Sequence, residues 1–362
     1  MKILQISPTY FSDQSVIGGG ERYVNNVCSA ATSVGKPGSV DCDILSFGEQ
    51  AQRFTIYPNV QMIVVNGNPN DLPSFAGENL DNIIVEYDVV HIHQCLLPFG
   101  LFNAARAKLA GKIVIGTDHG GGEYARLESF PRLGRLFNLL HAQSAFAQSS
   151  FAQLATPVKL IRGPVNEHHF PLKRKHYQPK GPIISIGRIL PHKGFDMLIN
   201  ALPVGEELRI IGRPHDNSYL DHLKSIAQGK NVSFLTTLDD EGIRVNLEKA
   251  SLYVHASTHF GFNGHFYHKP ELLAIAPIEA IMSGVPTLVS SAGALPELTI
   301  LDGCIVFKDT EELCSLLKRK TELMPEIPLE KMREGAIKHY GLEQFGRLYL
   351  DSLEKTQQEN KE

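Results

Sequence analysis

The sequence predicts an α/β protein made of two doubly wound, parallel-sheet domains. Three observations carry that reading. Apolar strand-like runs alternate with helical stretches of about the length that βαβ units need. The alternation restarts after residue 165. The chain has 362 residues, and at about 150 residues per domain two domains are the simplest division.

Residues 2–7 (KILQIS) form the first strand, which ends at Ser7-Pro8. Gly18-Gly19-Gly20-Glu21 then opens a helical pattern over 21–33. Strands follow at 43–47, 61–65, 89–93 and 112–117, with an Ala- and Leu-rich helix at 101–110 between the last two. The second half reads as strands at 182–187, 207–212, 232–235, 252–257, 286–290 and 304–307. Its helices fall at 195–202, 217–227, 240–249, 277–283 and 309–320. Arg162-Gly163-Pro164-Val165, followed by a polar stretch with Lys173, Arg174, Lys175 and Lys180, is the linker, and its basic cluster reads as a solvated face. Near the end, Leu342, Phe345, Leu348, Tyr349 and Leu353 recur at helical spacing. Two such sheets leave a central cleft, with ligands expected at the carboxyl ends of the strands.

Composition removes several classes. A hydrophobic fraction of 43% with 20% charged residues excludes a disordered chain, a fibre or a coiled coil. The net charge of −4 provides no basic field for nucleic acid. No apolar run approaches the roughly 18 residues of a membrane span. The first residues read as a strand, without the apolar core of a signal peptide. The five cysteines are widely spaced with no C-x-x-C pair, so they are expected as reduced thiols in the core.

The glycine loops are ambiguous by themselves. Gly18-x-Gly20-x-x-Tyr23 lacks the third glycine of a dinucleotide fingerprint. Gly120-x-Gly122-x-x-Ala125 fits its relaxed form, but no acid lies between Glu128 and Glu167 to bind a ribose. Each loop is either a tight strand-to-helix turn or an anion site built from backbone amides. His91-Ile92-His93 puts two imidazoles on one strand face. That is half of a metal site with no third ligand in view, or a hydrogen-bonded pair near a strand end. Asp41-Cys42-Asp43 reads as surface.

Three segments of the second half belong together. Ile186-Gly187-Arg188-Ile189-Leu190-Pro191-His192-Lys193-Gly194 leaves a strand and puts two cations on one loop, which suits a diphosphate. Leu208-Arg209-Ile210-Ile211-Gly212 is a strand ending in glycine. Glu271-Leu272-Leu273-Ala274-Ile275-Ala276-Pro277-Ile278-Glu279 places two glutamates eight apart near a helix start, followed by Gly284-Val285-Pro286.

With Gly18-Gly19-Gly20-Glu21, Asp88-Val89-Val90-His91 and Thr117-Asp118-His119, these segments resemble the retaining nucleotide-sugar-dependent glycosyltransferases of the GT-B fold, family four. The likeness runs from residue 1 to about residue 350. It implies two Rossmann-like domains, 1–165 and 166–341, with the helix at about 342–362 crossing back to the first. It also implies that Arg188 and Lys193 hold the diphosphate, Glu279 the ribose and Glu271 the donor sugar. Gly187 and the amides from Leu273 through Ala274 and Ile275 to Ala276 would approach sugar and phosphate, and Leu235 and Thr236 the base. His119 would lie beside the donor sugar, with Gly19, Gly20 and Glu21 lining the cleft toward the acceptor. The family usually has Phe-Gly where this chain has Leu273-Ala274, and the lead-in His259–Pro270 is longer here, with four aromatic rings and three histidines. His259, His265 and His268 are therefore expected to shape the sugar or acceptor site.

The implied reaction transfers a sugar from a UDP- or GDP-sugar to a hydroxyl of a saccharide or lipid-linked acceptor, without a cofactor or metal. Preorganised cations and amides would stabilise the leaving diphosphate. The resemblance further implies a cytoplasmic enzyme of polysaccharide or glycolipid synthesis, with room for peripheral contact at the inner membrane face. A nucleotide-sugar epimerase or phosphorylase, or a non-catalytic nucleotide-binding subunit, would share the same diphosphate site.

Overall fold

Four of the five residues of Lys2–Ile6 are buried, as in a parallel strand covered on both faces. This strand, β1, is the centre of the first unit in a computed structural model that describes residues 1–8, 18–35, 38–68, 80–120, 130–323 and 328–361. Gly122, Ala125 and Glu128 lie outside the described residues.

The chain divides into two units, Met1–Pro164 with Tyr340–Glu362, and Val165–His339. The first contains β1, α1 (Gly19–Val34), β2 (Asp41–Gly48), β3 (Gln52–Tyr57), β4 (Val60–Asn66), α2 (Leu80–Ile84) and β5 (Val89–His93). It continues with α3 (Pro98–Leu109), β6 (Ile113–Thr117), β7 (Leu139–Ala142), α4 (Ala145–Ser149) and β8 (Val158–Leu160). The strand order is β3-β4-β2-β1-β5-β6-β7-β8. Every pairing is parallel except β3 with β4. This antiparallel edge departs from the expected all-parallel sheet. Only Pro58-Asn59 joins the two strands, and a parallel crossover needs a dozen residues or more.

The second unit contains β9 (Ile183–Ile186), α5 (Phe195–Ala201), β10 (Leu208–Ile211), α6 (Asn217–Ile226), β11 (Val232–Leu235), α7 (Asp240–Lys249) and β12 (Leu252–His255). It continues with α8 (Ile275–Met282), β13 (Thr287–Ser290), β14 (Cys304–Phe307), α9 (Thr310–Lys318), α10 (Lys320–Leu323) and α11 (Leu329–Tyr340). Its order, β11-β10-β9-β12-β13-β14, is the doubly wound order with β9 as first strand. Side-chain alternation fills both faces. Ile183, Ile210 and Val254 join one apolar cluster, while Ile184, Ile211 and Tyr253 join the other.

Two boundaries differ from the sequence reading. α8 begins at Ile275, two residues before the expected start, with Pro277 in the first turn, where a missing N–H breaks no helical bond. The single helix expected over 309–320 breaks at Arg319 into α9 and α10. All five cysteines are free, with Cys28, Cys42 and Cys95 buried and Cys304 and Cys314 only partly so. Among the described residues no helix is long and apolar enough to cross a membrane.

The last helix, α12 (Leu342–Glu359), packs on α1 inside the first unit. The contact is close because Gly346 has no side chain: a Cβ there would lie 2.4 Å from the carbonyl oxygen of Ala30. Gly346→Ala is expected to cost about 1–3 kcal/mol through overpacking. Gly335→Ala in α11, where a Cβ meets nothing within 4 Å, should be neutral or stabilising by up to about 1 kcal/mol. Urea midpoints of the two variants check this, and equal midpoints would contradict the packing argument.

Candidate active site

β9 pairs with β10 on one side and β12 on the other, so the loops leaving β9 and β12 diverge at their carboxyl ends. This is the switch point at which doubly wound sheets bind ligands. The loop after β9 carries Gly187 and Arg188, then a 3-10 turn Pro191–Lys193 closed by Gly194. Gly194 has φ +63°, and a Cβ there would lie 2.0 Å from the Ala256 carbonyl oxygen. Only glycine lets this turn press against the exit of β12.

The turn delivers Lys193 to Glu271. Lys193 Nζ lies 2.5 Å from Glu271 Oε1, and His255 Nε2 and Ser257 Oγ each donate to the same oxygen at 2.7 Å. The carboxylate is 8% exposed. Burial opposes its charge, but the adjacent Lys193 and His255 outweigh burial and hold the carboxyl well below its usual range. Backbone contacts fix the residue as well. Ala294 N donates to Glu271 O at 3.0 Å, and Gly293, with φ +56°, leaves only 2.4 Å between its missing Cβ and that oxygen. His255 and Ser257 were not singled out in the sequence; the available signal was their place at the carboxyl end of a buried strand.

Glu271 precedes α8 by four residues and Glu279 lies within it, so neither side chain caps the helix. The N-cap, Ala274, provides no side-chain acceptor, and the first turn has no acidic residue. The first-turn amides of Ile275 and Ala276, with Leu273 just ahead, therefore form an anion-favouring helix start next to Glu271. Glu279 is buried, and both glutamates add to the upward shift that burial imposes on the Tyr253 hydroxyl. Arg188 is exposed and makes no hydrogen bond or ion pair among the described residues. Leu235 ends β11, with its carbonyl accepting from Gly212 N at 3.1 Å, and half-buried Thr236 follows.

The long lead-in folds as a small hairpin. Tyr267 N donates to His259 O at 2.7 Å, Gly261 N to His265 O at 2.9 Å, and Phe260 pairs with Phe266. His259 is spent on the hairpin, its Nδ1 lying 2.9 Å from Tyr267 O, whereas His265 and His268 are exposed. Phe262 stacks on His222 at 4.7 Å, and Tyr267 lies 5.0 Å from His192. The hairpin is thus seated on the cation-bearing loop, with Phe260 64% and Phe266 40% exposed.

The remaining predicted residues lie in the first unit. Glu21 accepts from Gly18 N at 3.1 Å and closes the start of α1, so its carboxylate already occupies that amide. Gly19 and Gly20 form the first helical positions, and a Cβ at Gly20 would meet nothing within 4 Å. His119 follows β6, its Nε2 2.9 Å from His93 Nδ1 and its Nδ1 2.9 Å from Gln143 Nε2. Burial pushes its pKa down to about 4, against the opposing charge of Asp118. His91 and His93 form hydrogen bonds to protein groups.

Residues 169–334, nearly the whole second unit, match the family model described as glycosyl transferases group 1. No curated protein sequence matches the chain. Among solved structures, sucrose-phosphate synthase from Thermosynechococcus elongatus is similar over 98% of this chain and 98% of its own, with TM-score 0.73 and 16% identity. HepE of Anabaena, in complex with UDP and glucose, is similar over 98% of this chain and 100% of its own, with TM-score 0.73 and 17% identity. Trehalose-6-phosphate synthase OtsA is similar over 98% and 99% of the two chains, with TM-score 0.71 and 12% identity. Fold and matched domain together define the class: the chain has the GT-B fold, and its second unit matches the glycosyl transferases group 1 family.

The buried histidines make stability depend on pH. Burial lowers His119 to about 4, and lowers His141 and His192 to about 3, with Lys159 and Lys193 adding to the last two. An unfolded histidine titrates near 6.5. Below that pH the unfolded chain takes up protons that the folded one refuses, so stability is complete above about pH 6.5 and falls with acidification. Each group contributes at most about 1.4 kcal/mol per pH unit, down to its folded value. Urea unfolding at pH 7, 6 and 5 should show a steady loss; a flat profile would contradict the neutral, buried state.

Proposed function

We propose that the chain is a retaining, metal-independent glycosyltransferase that moves a sugar from a UDP- or GDP-sugar to a hydroxyl of a saccharide or lipid-linked acceptor. The observation that carries this reading is the convergence of Lys193, His255 and Ser257 on Glu271 beside the uncapped start of α8. The HepE complex with UDP and glucose supports a nucleotide-sugar donor.

As the sugar–phosphate bond breaks, charge develops on the β-phosphate. Arg188, Lys193 and the α8 amides are positive groups preset to receive it. Lys193 would turn from Glu271 to the phosphate. Because His255 and Ser257 also donate to the carboxylate, Glu271 keeps its place when Lys193 leaves. Its charge then faces the donor sugar, and Glu279 the ribose. The acceptor attacks from the leaving-group face and its proton passes to the departing phosphate. The family resemblance implies a place beside the donor sugar for His119, which would act there as a neutral group. On the acceptor side, the exposed rings of Phe260 and Phe266, with His265 and His268, suit the apolar face and hydroxyls of a sugar ring.

UDP titrated calorimetrically tests the donor site. Arg188→Ala and Lys193→Ala should each weaken binding about tenfold or more, since charge-assisted hydrogen bonds contribute about 1.5–3 kcal/mol. Unchanged affinity in both, with UDP and with GDP, would remove the assignment. The glutamates should fail differently. Glu279→Gln raises donor KM with little change in kcat, the mark of uniform binding. Glu271→Gln lowers kcat about 10²-fold, some 2.7 kcal/mol, with nucleotide affinity no weaker than in the parent. Normal turnover of Glu271→Gln would show that the donor sugar lies elsewhere.

A further inference from the structure

The first unit holds a hydrogen-bond chain whose direction can be read from one atom. The Asp118 carbonyl can only accept, and Gln143 Nε2 donates to it at 3.0 Å. That fixes the Gln143 amide, so its second hydrogen points to His119 Nδ1 at 2.9 Å. A neutral His119 must then carry its proton on Nε2 and donate to His93 Nδ1 at 2.9 Å. His93 must in turn donate from Nε2 to Gln5 Oε1 at 2.8 Å. The Gln5 amide nitrogen then faces Tyr349 Oη at 2.9 Å, Tyr349 donates to His91 Nδ1 at 3.0 Å, and His91 Nε2 donates to Thr117 Oγ1 at 2.8 Å. Every donor meets an acceptor, and no alternative set of neutral tautomers satisfies the anchored end.

The chain links five elements. Gln5 lies on β1, His91 and His93 on β5, Thr117 on β6 with His119 just beyond it, Gln143 just after β7, and Tyr349 on α12. Gln5, His91, His93 and Tyr349 are fully buried, while His119 is half-buried. α12 therefore does more than cover α1: it supplies the hydroxyl that joins the two halves of the chain.

We infer that Gln5, His93 and Tyr349 are positioning residues that hold His119 uncharged, with its proton on Nε2 and its ring plane fixed, for sugar transfer. This rests on the proposed placement of His119 beside the donor sugar; the direction of the chain does not. An imidazolium at that place would oppose the positive charge that develops on the sugar ring. The titratable groups facing His93 are Tyr23 from α1, His91 from β5, His119 after β6 and His141 from β7, while Cys42 from β2, with Cys28 from α1 behind it, and Tyr349 from α12 face Gln5, and Asp118 acts on His119.

Gln5→Glu is the discriminating variant. The new carboxylate still accepts from His93 Nε2 but also favours the His93 imidazolium, whose Nδ1–H would then meet the Nε2–H of His119 donor to donor. His119 must change tautomer or turn. Tyr349→Phe is the gentler variant, opening the chain at one hydroxyl. Histidine 15N–1H correlation spectra of the parent at pH 7 should show His119, His93 and His91 neutral with the proton on Nε2, and Gln5→Glu should change the His119 pattern. With UDP-glucose as the probe, Gln5→Glu should lower kcat at least tenfold at pH 6, with the deficit shrinking toward pH 9 as His93 loses its proton, and with UDP affinity unchanged. Tyr349→Phe should lower kcat severalfold at every pH, again with UDP affinity unchanged. A parent His119 protonated on Nδ1, or on both nitrogens, would overturn the inference. So would variants that lower only the melting temperature, leaving the His119 spectrum and the pH profile of kcat as in the parent. If the parent shows the expected tautomers yet binds neither UDP nor GDP, the proposed function fails at the donor while the direction of the chain stands.

Discussion

A carboxylate out of water is the constraint around which the second unit is arranged. An isolated buried charge costs several kcal/mol unless its lost hydration is replaced. At Glu271 three donors converge on one oxygen, from a loop after β9, from the last residue of β12 and from a serine two residues later. The ion pair depends on backbone that comes unusually close on both sides. Gly194 lets the Lys193 turn lie against Ala256, and Gly293 lets the following loop lie against Glu271. The ion pair is therefore the product of the switch point and its glycines, and it sets a cation, an anion and a free helix start within one small volume. That combination is the basis of the proposed donor site.

The first unit solves a different problem with neutral groups. Four histidines lie in and around its central strands, and burial disfavours a charge on every one of them. Three of them, His91, His93 and His119, exchange hydrogen bonds in a consistent direction, with Tyr349 of α12 linking Gln5 of β1 to His91 of β5, while His141 bonds Ser352 of the same helix. Such a network is costly if any member is unsatisfied and specifies its geometry when all are. It accounts for a C-terminal helix built into the first unit although its sequence lies beyond the second.

The departures from the family pattern that the sequence resembles fall in one place. Leu273-Ala274 and the hairpin over 259–270 flank Glu271 on either side, while the cation-bearing loop keeps Arg188 and Lys193. A glycine replaced by Ala274 at the N-cap of α8 adds a methyl group where the backbone would approach a ligand, and the hairpin adds rings above the cation loop.

The amino-acid sequence by itself determined the α/β class and nearly every strand of the second unit, because parallel strands buried on both faces read as short apolar runs between helices. It also puts Arg188 and Lys193 on one loop and Glu271 and Glu279 eight residues apart, the residues whose roles the family resemblance implies. β3, β7 and β8 were not legible: β3 is an exposed edge held only by its partner, and the other two are too short to show a period. What only the tertiary structure decided is partnership. Lys193 and Glu271 are 78 residues apart, and Gln5 and Tyr349 are 344 apart. No local pattern encodes such pairs, because they exist only once strand order brings distant loops to the same end of a sheet. For the same reason His255 and Ser257 looked like ordinary strand-end residues until Glu271 was found between them and Lys193.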